Sequence, residues 1–443
     1  MRTIINPAPI LSPQDSRLLR RPHPQNWCGA GQSTQVSLIL YLLDAPDRNN
    51  RMFNNIVGPE APLTWPVQFW PVIPVAFVVS VAATWLAEKI APRLGVVDKP
   101  DNSVKTHKQP TPYLGGVAMF AAILAGMLVS FLFIPEIYAG SIAFRWGLGI
   151  LAASAVAVIV GCLDDIFDIR PWQKVLGQTA AALILVAVGV TPELSGIVGG
   201  LSKTTEIIAQ AVIVILFVLG ATNSLNLLDG LDGLCAGVTA IMTAAFLLLA
   251  TLMGTWYAHP TDAVAVKVTL CLALLPSVLG FLIFNYHPAR IFMGDAGSLL
   301  LGVNMAVLMI MFSEGGLQWW AASVVIFGLP ILDTTVAFAR RIINKRPLFV
   351  PDRGHIYDQM MDRGLSIRKT VALCYGLTAM YAVVGLVVVL LSIFAAVVVC
   401  AVTVLVSAFA VWKKGYLKMT GLHGTVGPNS AHHSAGHRID RPT

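Results

Sequence analysis

The chain has 443 residues, of which 56% are hydrophobic and only 12% charged, and its mean hydropathy of +0.73 excludes a water-soluble globular protein. Its formal net charge of +7 falls mostly in the loops between apolar runs, so it is an orientation signal and not a nucleic-acid surface. Six cysteines, at positions 28, 162, 235, 271, 374 and 400, have no paired spacing and mostly sit in or beside apolar runs; they read as small core residues, neither a zinc site nor a disulfide frame.

From the N-terminus, residues Met1 to about Asn50 contain Pro and Arg and one apolar run, Val36–Leu43, too short to cross a bilayer. They lack the order of a signal peptide; a disordered extension over 1–65 is expected, with Met52 as the real start. From Pro66 to Trp412 apolar stretches recur near the length of roughly 20 residues that spans a membrane. About eleven are predicted, centred near Val78, Leu124, Ala155, Ile184, Val214, Ala244, Leu274, Val307, Val325, Val384 and Val404. The fold class is therefore an all-α polytopic membrane protein, with 66–412 as the membrane domain and 413–443 as a disordered cytoplasmic tail. His423, His432, His433 and His437 in that tail read as polar tail residues before a metal tract.

Short loops rich in Lys and Arg stay in the cytoplasm. Alternate loops carry Arg93, Lys99, Lys105 and Lys108, then Arg170 and Lys174, then Arg290, a dense set from Arg340 to Lys369, and Lys413, Lys414 and Lys418; the opposite loops hold only Arg145, Lys203 and Lys267. The first span then starts outside and the last ends inside. The long cytoplasmic segments are Ala91–Pro112 and Arg340–Lys369; the second is loop, with one short helix near Ile356–Asp362.

Three acidic motifs end up on the cytoplasmic side, each where an apolar run ends: Gly161-Cys-Leu-Asp-Asp165, Asn226-Leu-Leu-Asp-Gly-Leu-Asp-Gly233 and Phe292-Met-Gly-Asp-Ala-Gly-Ser298. Carboxylates grouped at one membrane face are a functional hypothesis by default, and here they suggest Mg²⁺ and phosphate chemistry. On a continuing helix Asp164 and Asp168 would share a face and Asp165 would point about 100° away; two could bridge a cation, with Arg170 and Lys174 near a lipid phosphate. In the second motif Gly230 and Gly233 permit close backbone approach, and Asn226, Asp229 and Asp232 offer oxygen ligands. Asp295, at the start of a span, is either a helix N-cap or a ligand beside free N–H groups that suit a diphosphate. Asn285, Arg290 and Phe292 offer an amide, a counter-charge and a stacking face. Lys108 is explicable by orientation alone, and His355 in Asp352-Arg-Gly-His355 is by itself weak. Asp333, roughly 10 Å deeper than Arg340 on a helix, reads as a structural hydrogen-bond partner.

Taken in order, Lys105–Gly116, Leu163–Asp165, Asn226–Leu234, Phe284–Ser298 and Asp352–His355 resemble the motifs of the polyprenyl-phosphate N-acetylhexosamine-1-phosphate transferases, glycosyltransferase family 4. The closest type is the bacterial undecaprenyl-phosphate N-acetylglucosamine 1-phosphate transferases. The resemblance implies transfer of a phospho-sugar from a UDP-N-acetylhexosamine to undecaprenyl phosphate in the bacterial cytoplasmic (inner) membrane, with release of UMP. It implies Mg²⁺, with Mn²⁺ as a substitute, on Asp295 with Asn226 as a second ligand. Asp164 and Asp165 would sit at the acceptor phosphate, one of them proposed in the family as its base. Asn226, Asp229, Asp232, Asn285 and Phe292 would line the uridine and diphosphate pocket, and Lys108, Lys174 and His355 would contact phosphate or sugar. A homodimer follows from family analogy alone, and no nucleic-acid partner is expected.

After His355-Ile356 the family usually continues with further histidines, whereas this chain has Tyr357 and Asp358. That leaves the donor sugar open, with N-acetylglucosamine the default by resemblance. Two other readings compete: a membrane prenyltransferase using the Asp164-Asp165-x-x-Asp168 pattern, and a multi-span transporter or flippase, which would place its charges near the midplane.

Overall fold

In hydrocarbon every backbone N–H and C=O must be satisfied within its own segment, and the apolar runs satisfy them as helices. The structure, a computed structural model, describes residues 68–98, 111–133, 142–194, 200, 202–256, 262–346 and 354–418. The expectations for residues 1–65 and Met52, for Lys105, His107 and Lys108, for Asp352 and Arg353, and for the tail from Gly421 lie outside those residues.

Thirteen helices run through the described residues: α1 Val72–Ile90, α2 Gly115–Phe133, α3 Ile142–Phe167, α4 Pro171–Val188, α5 Lys203–Leu228, α6 Leu234–Trp256, α7 Asp262–Asn285, α8 Gly294–Met311, α9 Leu317–Ile326, α10 Gly328–Ile343, α11 Ile356–Asp362, α12 Ile367–Leu390 and α13 Ile393–Lys414. A two-residue antiparallel ladder joins β1, Val97–Asp98, to β2, Thr111–Pro112. The helix boundaries carry ordinary stop signals. Ser202 caps α5 by accepting from the Thr205 N–H at 3.2 Å, α4 opens on Pro171 in its first turn, and Gly189 (φ 85°) and Gly415 (φ 69°) close α4 and α13 in the left-handed conformation.

By length and composition nine of the described helices can cross a membrane, or ten if α9 and α10 count as one broken span. The expected span near Val325 is that broken one, bent by 69° between α9 and α10. Pro330 cannot donate an N–H, and its ring clashes with the carbonyl four residues earlier, at Ile326, so the helix cannot continue straight. The expected span near Ile184 corresponds to helix α4, which carries Trp172, Gln173 and Lys174 in its first turn and is not among those nine or ten.

Helix α8 is buried from Ala296 to its end at Met311 and packs against α2, α3 and α5. At Gly302 a Cβ would run into the Thr222 backbone, so α5 and α8 meet backbone to backbone, as small residues permit in membranes. Buried polar groups tie the bundle. Asn304 Nδ2 donates to Ser154 Oγ at 3.1 Å, Ser277 Oγ to the Met119 carbonyl at 2.9 Å and Ser80 Oγ to the Ser277 carbonyl at 2.5 Å; such bonds average about 0.6 kcal/mol each in a bilayer protein. Lys267, expected in an outer loop, instead lies inside α7, fully buried, and pairs with Glu314 at 2.8 Å. Its charge is tolerated there because the partner travels with it.

The positive-inside bias predicts that exposed Lys203 and Lys413 lie on opposite sides of the membrane. Cysteines substituted at these positions should be labelled by an impermeant maleimide from opposite faces, Lys413→Cys only after the cytoplasmic face is opened; labelling of both from one side would overturn the orientation.

Candidate active site

The C-terminal ends of α3 and α5 and the N-terminal ends of α4 and α8 meet at one end of the bundle, and there the three acidic motifs assemble. Lys174, in the first turn of α4, is the hub. Its ammonium donates to Asp164 Oδ2 on α3 at 3.0 Å, to Asn226 Oδ1 on α5 at 3.3 Å and to Asp295 Oδ2 on α8. Asn226 in turn donates through Nδ2 to Asp295 Oδ1 at 2.7 Å and to Ser298 Oγ at 3.0 Å. One cation thus holds oxygens from three helices, and those side chains are mostly shielded from solvent, so the ion pairs are worth more than at an open surface.

Asp165 faces a different partner. Its Oδ1 accepts from the Asp295 N–H at 2.8 Å and its Oδ2 from the Ala296 N–H at 3.2 Å, so it caps α8 from a neighbouring helix. The residue preceding α8, Met293, makes no side-chain cap; Asp295 is therefore not the cap of its own helix, and its carboxylate is turned toward Lys174 and Asn226. Close approach makes this possible. A Cβ at Gly161 would strike the backbone of Asp295 and Ala296, and one at Gly294, which adopts φ +67°, would strike the Asp165 carboxylate.

The other predicted residues are placed around this centre. Asp229 follows the end of α5. Dense surrounding protein pushes its carboxyl well above the ordinary carboxylate range, and the charges of Asp295, Asp165 and Asp232 add to the shift. Asp232 receives His287 Nδ1 at 2.7 Å and the Ala289 N–H at 3.1 Å. Asn285, buried, accepts from the Gly233 N–H at 3.1 Å and donates to the Ile291 carbonyl at 2.9 Å. Asp232 and Asn285 thus join the Asp229 turn to the 286–291 loop. Phe292 pairs its backbone with the Pro112 carbonyl at 2.8 Å and the Gly115 N–H at 3.1 Å, docking the Pro112–Gly116 segment onto the start of α8. Arg290 pairs with Glu88 at 2.6 Å. Asp168 is exposed beyond the end of α3 with φ 50°, so the helix stops before Asp164 and Asp168 can share a face.

His355 is buried and its Nδ1 lies 2.8 Å from Asp333 Oδ2, while Asp333 Oδ1 accepts from the Ile356 N–H at 2.7 Å. A carboxylate on Nδ1 fixes the ring's orientation. Asp333, expected to be structural, is thus the partner that orients His355. Sequence reasoning passed over Ser298, and also the Gln178–Asn223 pair, one turn beneath Lys174 and Asn226, in which Asn223 Nδ2 donates to Gln178 Oε1 at 3.1 Å. The signal for the pair was available: two amides at helical spacing from Lys174 and Asn226, each inside an apolar run.

Residues 147–313 match the family model described as glycosyl transferase family 4. A probable undecaprenyl-phosphate N-acetylglucosaminyl 1-phosphate transferase of Bacillus subtilis is 34% identical over 310 residues, 68% of this chain and 81% of the relative. The chain belongs to glycosyl transferase family 4. A decaprenyl-phosphate N-acetylglucosaminephosphotransferase of Mycobacterium tuberculosis is 30% identical over 316 residues, 68% of this chain and 77% of that one. An undecaprenyl-phosphate alpha-N-acetylglucosaminyl 1-phosphate transferase of Escherichia coli K12 is 26% identical over 320 residues, 70% and 81% of the two chains. The family match runs from α3 to just beyond α8 and so takes in Asp164, Asp165, Lys174, Asn226, Asp229 and Asp295.

Removing the Asp165 carboxylate leaves two N–H groups at the start of α8 without an acceptor. Asp165→Ala should cost about 1–2 kcal/mol of stability, read as a lower melting temperature in detergent, and Asp165→Asn, which keeps one acceptor, should cost less. Equal melting temperatures in all three proteins would contradict the cap.

Proposed function

We propose that this chain transfers a phospho-N-acetylhexosamine, with N-acetylglucosamine the default, from a UDP-sugar to undecaprenyl phosphate at the cytoplasmic face of a bacterial inner membrane. An oxygen of the acceptor phosphate attacks the sugar-bearing phosphorus of the donor. The bond from that phosphorus to the bridging oxygen breaks, UMP leaves with that oxygen, and a lipid-linked diphospho-sugar remains. The names of the relatives support the acceptor class and the sugar phosphate transferred; the basic loops support the cytoplasmic placement.

The observation that carries the reading is the gathering of Asp164, Asn226 and Asp295 about a single cation, Lys174. All the facing donors are hard oxygens, the set that Mg²⁺ takes. Among the described residues no three His, Cys, Asp or Glu groups stand close enough to hold a metal by themselves. That fits a Mg²⁺ held through one or two protein ligands with substrate phosphates completing its shell. Asp295 and Asn226 would hold Mg²⁺, or Mn²⁺ in its place, which when bound neutralises charge on the diphosphate. Lys174 neutralises phosphate charge from the α4 side, and Asp165 keeps Asp295 and the N-terminus of α8 in place. The acceptor phosphate has a second pKa near 6, so at neutral pH it is mostly dianionic and needs no base; Asp164 then serves to place Lys174. Because Asp168 stands apart from Asp164 and Asp165, no assembled Asp-Asp-x-x-Asp site supports the prenyltransferase reading.

Purified protein given undecaprenyl phosphate, Mg²⁺ and several UDP-sugars should release UMP only when all three are present, and Asp295→Ala should lower the rate at least about 100-fold. No release with any donor from folded protein would defeat the proposal. Raising pH should not rescue Asp164→Asn; recovery at high pH would make Asp164 a base.

Asp229 supplies a pH test. A carboxyl held above its ordinary range keeps its proton to higher pH, and an arriving cation must displace it. The half-saturating Mg²⁺ concentration should therefore fall as pH rises. Asp229→Asn should weaken the dependence; an unchanged slope would show that the Asp229 proton does not compete with the cation.

A further inference from the structure

Tyr357, the second residue of α11, has a definite task in the fold. It is buried on the first turn of α11. Its ring stacks on His355 with centroids 5.6 Å apart and planes 9° apart, and its hydroxyl donates to the Leu227 carbonyl at 2.9 Å. Leu227 is the residue after Asn226, in the last turn of α5. The ring also fills the space beside Gly230, where any Cβ would meet the Tyr357 hydroxyl. Asp358 completes the arrangement by accepting from the His355 N–H at 3.3 Å. Tyr357 thus holds His355 and the Asn226–Asp229 turn to one another, with Asp358 fixing the His355 backbone.

We infer that Tyr357 is a positioning residue that sets the spacing between His355 and the Asn226–Asp229 turn, and so the fit of the UDP-sugar donor; this rests on the transferase reading above. A donor reaching from the Asn226–Asp295 end to His355 touches two segments about 130 residues apart in sequence. Neither segment alone determines where the other lies. The hydroxyl of Tyr357 and its stack on His355 form a direct link between them. The acceptor side, with Asp164 on α3 and Lys174 on α4, does not hang on this link, so its affinity should be independent of it.

Tyr357→Phe keeps the ring, its stack and its packing and removes the bond to Leu227. One net hydrogen bond is worth about a fivefold change in an equilibrium constant, so the donor KM should rise by about fivefold. The undecaprenyl phosphate KM should stay at its wild-type value, and the melting temperature should fall by no more than the loss of one net hydrogen bond, about 1 kcal/mol, brings. Gly230→Ala, which forces the same hydroxyl away, should shift the donor KM in the same direction. A merely structural tyrosine would lower the melting temperature or the active fraction, and hence kcat, with the donor KM unmoved; that outcome, or an equal rise in both KM values, overturns the proposal. Absence of UMP release by the wild type with every donor would defeat the transferase reading, and the positioning role with it. Release by the wild type with an unmoved donor KM in Tyr357→Phe would defeat the positioning role alone.

Discussion

The buried N-terminus of α8 is the constraint on which the rest of the site depends. Its first N–H groups have no partner within the helix, and α8 is enclosed by neighbouring helices, so water cannot serve them freely. Asp165, on α3, supplies both acceptors. That contact requires α3 to approach α8 at backbone distance, which Gly161 permits, and the chain to turn sharply at Gly294, which a positive φ makes easy for glycine. Once α8 is seated in this way, Asp295 is delivered at a fixed height beside α4 and α5.

Gathering carboxylates in such a place is costly, and the structure limits the cost with one ammonium. Asp164 and Asp295 share Lys174, and Asn226 takes the remaining donor while giving its own amide hydrogens to Asp295 and Ser298. Breaking a buried pair of this kind by removing one partner typically costs about 3–5 kcal/mol, so the residues depend on one another for folding. Four carboxylates, Asp164, Asp165, Asp229 and Asp295, still face a single lysine here. Burial first, and then the charges of Asp295, Asp165 and Asp232, push the Asp229 carboxyl above its ordinary range.

The turn after α5 is held on several sides by groups that do not touch one another. Asp232 and Asn285 fasten it to the 286–291 loop, Tyr357 holds Leu227 and Tyr375 donates to the Gly233 carbonyl at 2.6 Å. Polar residues of the motif thus divide between two tasks. Asn226 points into the cation cluster, while Asp232 and Asn285 are used in fixing the loops that carry it. A turn rich in glycine would otherwise be mobile, and a ligand site built on it would be imprecise.

Hydropathy alone determined that this is a helical membrane protein, because the length of an apolar run and the satisfaction of its backbone are local matters. The ends of those runs also marked Asp164, Asn226 and Asp295, since strongly polar side chains grouped at the edge of hydrocarbon are unusual wherever they occur. What each of them does was decided by tertiary structure. Asp164 and Asp165 are adjacent in the chain, yet one meets Lys174 and the other caps α8; a helical step of about 100° separates them, and only the neighbouring helices give that step a meaning. Asp333 and His355, 22 residues apart, find each other because the chain breaks at Phe327 and again before α11. The same holds for Tyr357 and Leu227. Periodicity reports which face of a helix is apolar, but it carries no information about which distant segment will lie against that face, and the functions of these residues consist of such pairings.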